Sequence, residues 1–172
     1  MKRLSILRHA KSSWDDPSLA DFNRPLNDRG WKAARRMGRE LKRRGMHFDY
    51  CVASTAARVR ETLDGLFEGY GNPDFEIRFE PRIYEATTAV LMDVVCGLPE
   101  SASAPLVVGH NPGLHRLILE LTNDDDDGMR DRVSDNLPTA ALAQIQLSVR
   151  RWTDVEPGIG EIAELIFPKE LD

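Results

Sequence analysis

The sequence predicts an α/β fold in which one sheet carries helices on both faces. Three observations lead there. Short apolar runs alternate with amphipathic stretches along most of the chain, in the order strand–helix four times over and then two strands. Turn and cap residues separate these segments with no linker or repeat between them. The 172 residues are 41% hydrophobic and 30% charged, a balance and length that suit one globular domain over residues 1–172 with its own core.

Leu4 to Leu7 reads as a buried strand that stops at Arg8-His9. Lys11 to Asn27 is polar and carries Pro17 and Pro25, so a loop is expected. Asn27 or Asp28 can cap a helix running to about Arg44 and stopping at Gly45, with Trp31, Ala34, Met37 and Leu41 inward. Phe48 to Ala53 is a second strand. Ser54 or Thr55 then caps a helix whose inner face is Val59, Leu63, Leu66 and Tyr70. Phe75 to Phe79 alternates as a third strand, and Thr87 to about Gly97 is a helix. Pro105 to Gly109 is a very apolar fourth strand, broken at His110, and a helix over Pro112 to Leu121 follows with proline in its first turn. Leu142 to Arg150 and Glu161 to Phe167 close the chain as two strands joined near Pro157-Gly158.

Composition excludes several classes. A formal net charge of −5 lacks the basic footprint of a nucleic-acid binder. No apolar run reaches membrane-spanning length, and Met1 to Leu7 is too short for a signal peptide, so a cytoplasmic protein with no membrane partner is expected. Cys51 and Cys96 form no CxxC pair and read as buried free thiols. Asp124 to Asp127 stacks its acids rather than spacing them as a calcium loop does, and reads as a solvated loop. His47 and His115 are read as surface or packing residues.

Two segments share one grammar: Leu4 to Leu7 followed by Arg8-His9, and Leu106 to Gly109 followed by His110-Asn111-Pro112. Each is an apolar strand ending in histidine, and open α/β sheets bind ligands at the carboxyl ends of their strands. A third strand end supplies Ser54 to Arg58. Arg58 falls in a first helical turn, where the dipole disfavours a cation; it is either solvated or partnered by an anion. Arg8, Arg58, His9 and His110 together would make an anion pocket with a nucleophile. GxSxG, P-loop and HExxH motifs are absent, as is a carboxylate cluster for magnesium.

Leu7-Arg8-His9-Ala10, Ser54 through Arg58 to Thr62, and Gly109-His110-Asn111 resemble the histidine phosphatase superfamily, the phosphoglycerate-mutase-like proteins. Arg8 to Trp14, Asp21 to Gly30, Leu137 to Ala141 and Phe167-Pro168-Lys169 are similar to the short SixA-type phosphohistidine phosphatases. The resemblance implies a three-layer α/β/α sandwich with a mostly parallel sheet and no lid insertion. It implies His9 as phosphate acceptor, Arg8, Arg58 and His110 around the phosphoryl oxygens, and neither metal nor cofactor. Ser12 is a further candidate phosphate ligand. Ala10 stands where most of the superfamily has glycine, and the acid of the larger relatives has its nearest counterpart in Glu85.

From these readings a metal-independent phosphatase is expected, working through a phosphohistidine on His9. Two arginines should depress its pKa and keep it neutral. An imidazole leaves phosphorus more readily than an alkoxide, which favours a phosphohistidine on a signalling protein over a small phosphate ester. A small-molecule phosphomonoesterase and a non-catalytic phosphate-binding module are the alternatives. The first helix carries Lys32, Arg35, Arg36, Arg39, Lys42, Arg43 and Arg44, either as a solvated face or as a docking face for an acidic domain. Oligomeric state is not readable.

Overall fold

A computed structural model describes residues 1–124 and 127–171. The expected α/β sandwich is present. Strands β1 (Lys2–Arg8), β2 (Tyr50–Ala53), β3 (Ile77–Phe79), β4 (Pro105–Gly109), β5 (Leu142–Leu147) and β6 (Gly160–Ile166) form one sheet in the order β3-β2-β4-β1-β5-β6. Neighbours from β3 to β1 are parallel, while β5 runs antiparallel to both β1 and β6.

Helices α1 (Asp28–Arg43) and α2 (Ala57–Tyr70) cover one face, where Met37, Leu41, Val59, Leu63 and Leu66 pack with Leu7, Cys51, Leu106 and Val108 of the strands. Helices α3 (Thr88–Cys96), α4 (Gly113–Leu121) and α5 (Met129–Asp135) cover the other, around Leu4, Ile6, Val52, Val107 and Ile145. Burying each such side chain contributes about 1.5–3 kcal/mol, which is why strands this apolar sit between two helical layers.

The first helix begins as expected: Asn27 caps it, its Oδ1 accepting from Gly30 N–H at 2.8 Å, and Gly45 leaves it with φ +66°. The α1 and α2 backbones lie unusually close. A Cβ on Gly38 would fall 2.0 Å from the Leu66 carbonyl oxygen, and one on Gly69 2.2 Å from that of Arg35.

Several expectations are corrected. Helix α2 has neither Ser54 nor Thr55 at its N-cap; Ala56 stands there, its methyl unable to bond, while Ser54 Oγ accepts from the Ala56 N–H and meets His110. Pro112 precedes α4 instead of opening it, and its bond to Asn111 is cis. Helix α5 was not anticipated; it is one short segment with Val133 its one buried residue, too little to set an apolar period. Strand β3 keeps three residues. Strand β5 ends at Leu147 because the chain turns away to bury Trp152, whose indole N–H donates to Ala102 O at 2.8 Å. Cys51 is buried but Cys96 only half so. The expectation of a solvated loop at Asp124 to Asp127 falls partly on residues 125–126, outside the described residues; Asp124 is exposed and accepts from Arg130.

Candidate active site

Sheet register brings the two histidines together. Arg8 of β1 lies opposite Gly109 of β4, and Ala53 of β2 opposite Val108. The residues that follow, His9, His110 and Ser54, therefore leave three adjacent parallel strands side by side. The imidazole centroids of His9 and His110 are 5.2 Å apart.

Each ring is held by a hydrogen bond at one nitrogen. His9 Nδ1 lies 2.7 Å from the Ala10 carbonyl oxygen. A carbonyl can only accept, so Nδ1 carries the hydrogen and Nε2 keeps its lone pair. His110 Nε2 lies 2.7 Å from Ser54 Oγ, which already accepts from Ala56 N–H. The serine proton can then go to Nε2, leaving Nδ1–H of His110 as a donor. Burial, foremost, lowers the pKa of His9 to about 4, with Arg58, Arg8 and Arg24 acting in the same direction and the Ala10 carbonyl opposing. The expected direction stands, but desolvation outranks the arginines as its cause. Burial likewise, with His9 and Arg58 next, brings His110 to about 3.

Around the rings stand three guanidinium groups. Arg8 is held by the Leu137 carbonyl at 3.0 Å, which also accepts from Asn111 Nδ2 at 2.9 Å. Arg58, in the first turn of α2 as expected, donates to the backbone oxygen and carboxylate of Asp21 at 2.8 and 3.1 Å. Arg24, buried, donates to Ser12 Oγ at 2.8 Å and to Asp21 at 3.1 Å. Tyr84 donates its hydroxyl to the same Asp21 carboxylate at 2.6 Å, and that bond, foremost, holds the Asp21 pKa at about 2. One carboxylate thus organises two arginines and leaves the centre positive. Arg8 Nε, Arg58 Nε, His110 Nδ1 and the acceptor Asn111 Oδ1 are buried without a hydrogen-bond partner among the described residues. Buried donors are rarely left so, and these three stand at the site's own residues.

Two adjoining depressions meet here. One, of about 280 Å³, is lined by Arg8, His9, Ser12, Trp14, Arg24 and Arg58 among others. The other, of about 400 Å³, is lined by Asp21, Arg58, Tyr84, Glu85 and His110. The sequence-predicted Arg8, His9, Ser12, Arg58 and His110 are all brought together. Glu85 is exposed and lines only the second depression. Glu85 and Ala140 have positive φ, 56° and 61°, a conformation costing a non-glycine residue about 1–2 kcal/mol. Both flank the site: the Ala140 N–H is shared between the carbonyls of Arg8 and His9. The methyl of Ala10 is accommodated in a small apolar cluster with Leu26, Ala34 and Ala140.

The histidine phosphatase superfamily (branch 1) model matches residues 4–91, more than half the chain and including Arg8, His9, Arg58 and Glu85. The chain belongs to this superfamily. An uncharacterized Mycobacterium tuberculosis protein, Rv1276c, is 30% identical over 165 residues, covering 95% of this chain and all of that one. A Nakamurella multipartita protein assigned as a phosphohistidine phosphatase SixA is 27% identical, with TM-score 0.82 over 97% of this chain and 96% of that one. The protein histidine phosphatase SixA complexed with tungstate has the same fold, with TM-score 0.78 at 20% identity over 98% of each chain.

For this histidine phosphatase superfamily member, sequence reasoning missed Asp21, Arg24, Ser54, Tyr84 and Asn111 as site residues. A buried arginine in a polar loop leaves no periodic signal, and Asp21 gains its place only when that loop folds over α2. Ser54 carries a signal, as the residue ending a strand beside two histidine-ended strands, but a serine there suits a helix cap equally. His47 is exposed, and His115 bonds the Val133 carbonyl between α4 and α5. Among the described residues no helix is long and apolar enough to cross a membrane, and no group of three or more His, Cys, Asp or Glu could hold a metal ion.

Proposed function

We propose that the protein is a phosphohistidine phosphatase that transfers a phosphoryl group from a histidine of a signalling protein to His9 and then to water. One observation carries this reading: His9 Nε2 keeps its lone pair beside the unpartnered donors Arg8 Nε, Arg58 Nε and His110 Nδ1. Those donors would hold the equatorial phosphoryl oxygens, with Ser12 and Arg24 at the edge of the same cavity.

In the first step the His9 Nε2–P bond forms and the P–N bond to the substrate imidazole breaks, that imidazole recovering a proton on its nitrogen. In the second, water attacks phosphorus in line, the Nε2–P bond breaks and inorganic phosphate leaves. The need for a general acid separates substrates. An alkoxide leaving group requires one, whereas an imidazole is protonated near neutral pH. Asp21, with its pKa about 2, is ionised at neutral pH and cannot donate, and Glu85 stands exposed at the rim. The second reading, a small phosphate esterase, is favoured by the presence of Glu85 in the depression that His110 shares. The non-catalytic binding module is disfavoured by a nucleophile held in its reactive tautomer.

The test is phosphate release from a histidine-phosphorylated phosphocarrier domain and, separately, from a sugar phosphate. The phosphoprotein should be cleared much faster. Arg58→Ala should lower that rate about a hundredfold, as removal of a preorganised charge donor does. Rapid hydrolysis of the sugar phosphate with the phosphoprotein untouched would overturn the reading.

A further inference from the structure

The cavity at His9 continues into an open groove of about 410 Å³; Lys11 and Thr139 line both. Among the described residues, the charged ones lining that groove are Lys11, Arg29, Lys32, Arg36 and Lys169, and none of its lining residues is a carboxylate. One wall is α1, the other is the Pro138-Thr139 turn and Pro168-Lys169. Gly30 sets the junction, since a Cβ there would stand 2.1 Å from the Lys11 carbonyl oxygen. With glycine, Lys11 rests against the first turn of α1, where cavity and groove meet.

The positive charge of α1 is not spread evenly. Arg35 pairs with Glu68, Arg43 with Glu40, and Arg44 with Glu40 and Glu164. The groove cations pair with no carboxylate among the described residues; Arg36 makes a bond to the Leu171 carbonyl at 3.4 Å. Arg39 and Lys42 of α1 likewise have no ion pair among the described residues but lie outside the groove. In a chain of net charge −5, five cations without an ion pair among the described residues nevertheless line one channel leading away from His9. All but the half-buried Arg36 are exposed, which suits a surface laid across them better than a small anion enclosed by them. The mouth supplies apolar area as well. Trp14 is 76% exposed on the rim of the His9 cavity, with Arg24 stacked 3.5 Å from its ring centroid. Phe22, also exposed, meets Tyr84 edge-on beside the other depression. A small phosphate could not cover both aromatic rings.

We propose that this groove docks an acidic segment of the protein substrate, seating carboxylates along α1 while the phosphohistidine enters at His9. The proposal rests on the phosphohistidine reading above. Single exposed cations contribute little, but several acting together raise association rates and make them fall with salt.

Two charge-reversed pairs test it, Lys32→Glu with Arg36→Glu and Arg29→Glu with Lys169→Glu, with Arg43→Glu as the paired-cation control. Folding is checked by thermal melting; the second pair touches no backbone bond of the first. Each protein is assayed on a phosphocarrier domain with acids flanking its phosphohistidine, on phosphoramidate, and for binding of a fluorescein-labelled oligoglutamate peptide. Both pairs should lose about tenfold or more in kcat/KM on the phosphoprotein at low salt, mostly in KM, and lose peptide binding. Phosphoramidate turnover should stay within about twofold, and Arg43→Glu should resemble the parent in all assays. Unchanged phosphoprotein turnover in both pairs, an equal loss in Arg43→Glu, or an equal loss on phosphoramidate overturns the proposal. If the parent protein leaves the phosphoprotein intact, the phosphohistidine reading itself fails. Peptide binding then decides the groove alone: loss in both pairs supports acidic docking, and equal binding by parent and variants overturns it.

Discussion

At position 9 the deciding contact is between Nδ1 and the Ala10 carbonyl oxygen, because it chooses which nitrogen can attack. Ser54 Oγ holds the His110 ring through Nε2 at 2.7 Å. Glu85 is the residue on which substrate class turns. Exchanging it for glutamine removes a titratable acid at the rim without disturbing the arginines. The expected outcome is a phosphohistidine turnover within about twofold of the parent and an ester turnover reduced about tenfold or more, the scale of a general acid's contribution. Parallel pH–rate profiles on the two substrates check it, and an equal loss on both would assign Glu85 to phosphohistidine chemistry too. At this scale the sequence was readable where an apolar strand runs into a polar residue, as at Leu7-Arg8-His9 and Gly109-His110. Arg58 was readable because a cation in a first helical turn needs a counterpart. Asp21 and Arg24 were not, since their positions depend on a loop whose conformation is set by partners distant in sequence, Arg58 and Ser12.

Among the elements, the pairing of α1 with α2 matters most to the site, since α2 carries Arg58 and α1 walls the basic groove. Its closeness depends on glycine. In Gly38→Ala the added methyl would meet the Leu66 carbonyl 2.0 Å away, and rigid helix backbone cannot yield cheaply. A loss of about 1–3 kcal/mol is expected, read as a fall in Tm of roughly 2–12 °C. Unchanged melting would mean that the helices separate freely. The amphipathic helices were legible because Ala34, Met37 and Leu41, like Val59, Leu63 and Leu66, repeat at helical spacing and are buried. Helix α5 and the buried turn at Trp152 were not, because neither displays a repeating apolar face. The starts of α4 and α2 were legible to within two residues: Pro112, expected in the first turn, stands at the N-cap, and Ser54, expected at the cap, lies two residues before it and meets His110.

For the whole molecule, two buried neutral imidazoles tie stability to pH. In the unfolded chain they titrate near 6.5; folded, His9 and His110 resist protonation down to about 4 and 3. Within that window the unfolded chain binds protons that the folded one does not. Their contribution to stability is therefore fully present above about 6.5 and is lost as pH falls toward those folded values. Denaturant midpoints across this range should fall more steeply for the parent than for a His9→Gln, His110→Gln variant. Equal slopes would mean that the imidazoles are not buried neutral. The same depression keeps His9 unprotonated at neutral pH, where arginines beside it hold an anion without capturing its lone pair.

The phosphoryl group itself offers the most direct test. The protein is pulsed with phosphoramidate, quenched in alkali, digested and mapped by mass spectrometry. The account predicts an acid-labile phosphoryl group on the peptide containing His9, absent in His9→Ala, whose turnover should fall about a thousandfold or more. A phosphoryl group trapped on another residue, or full turnover by His9→Ala, would contradict it.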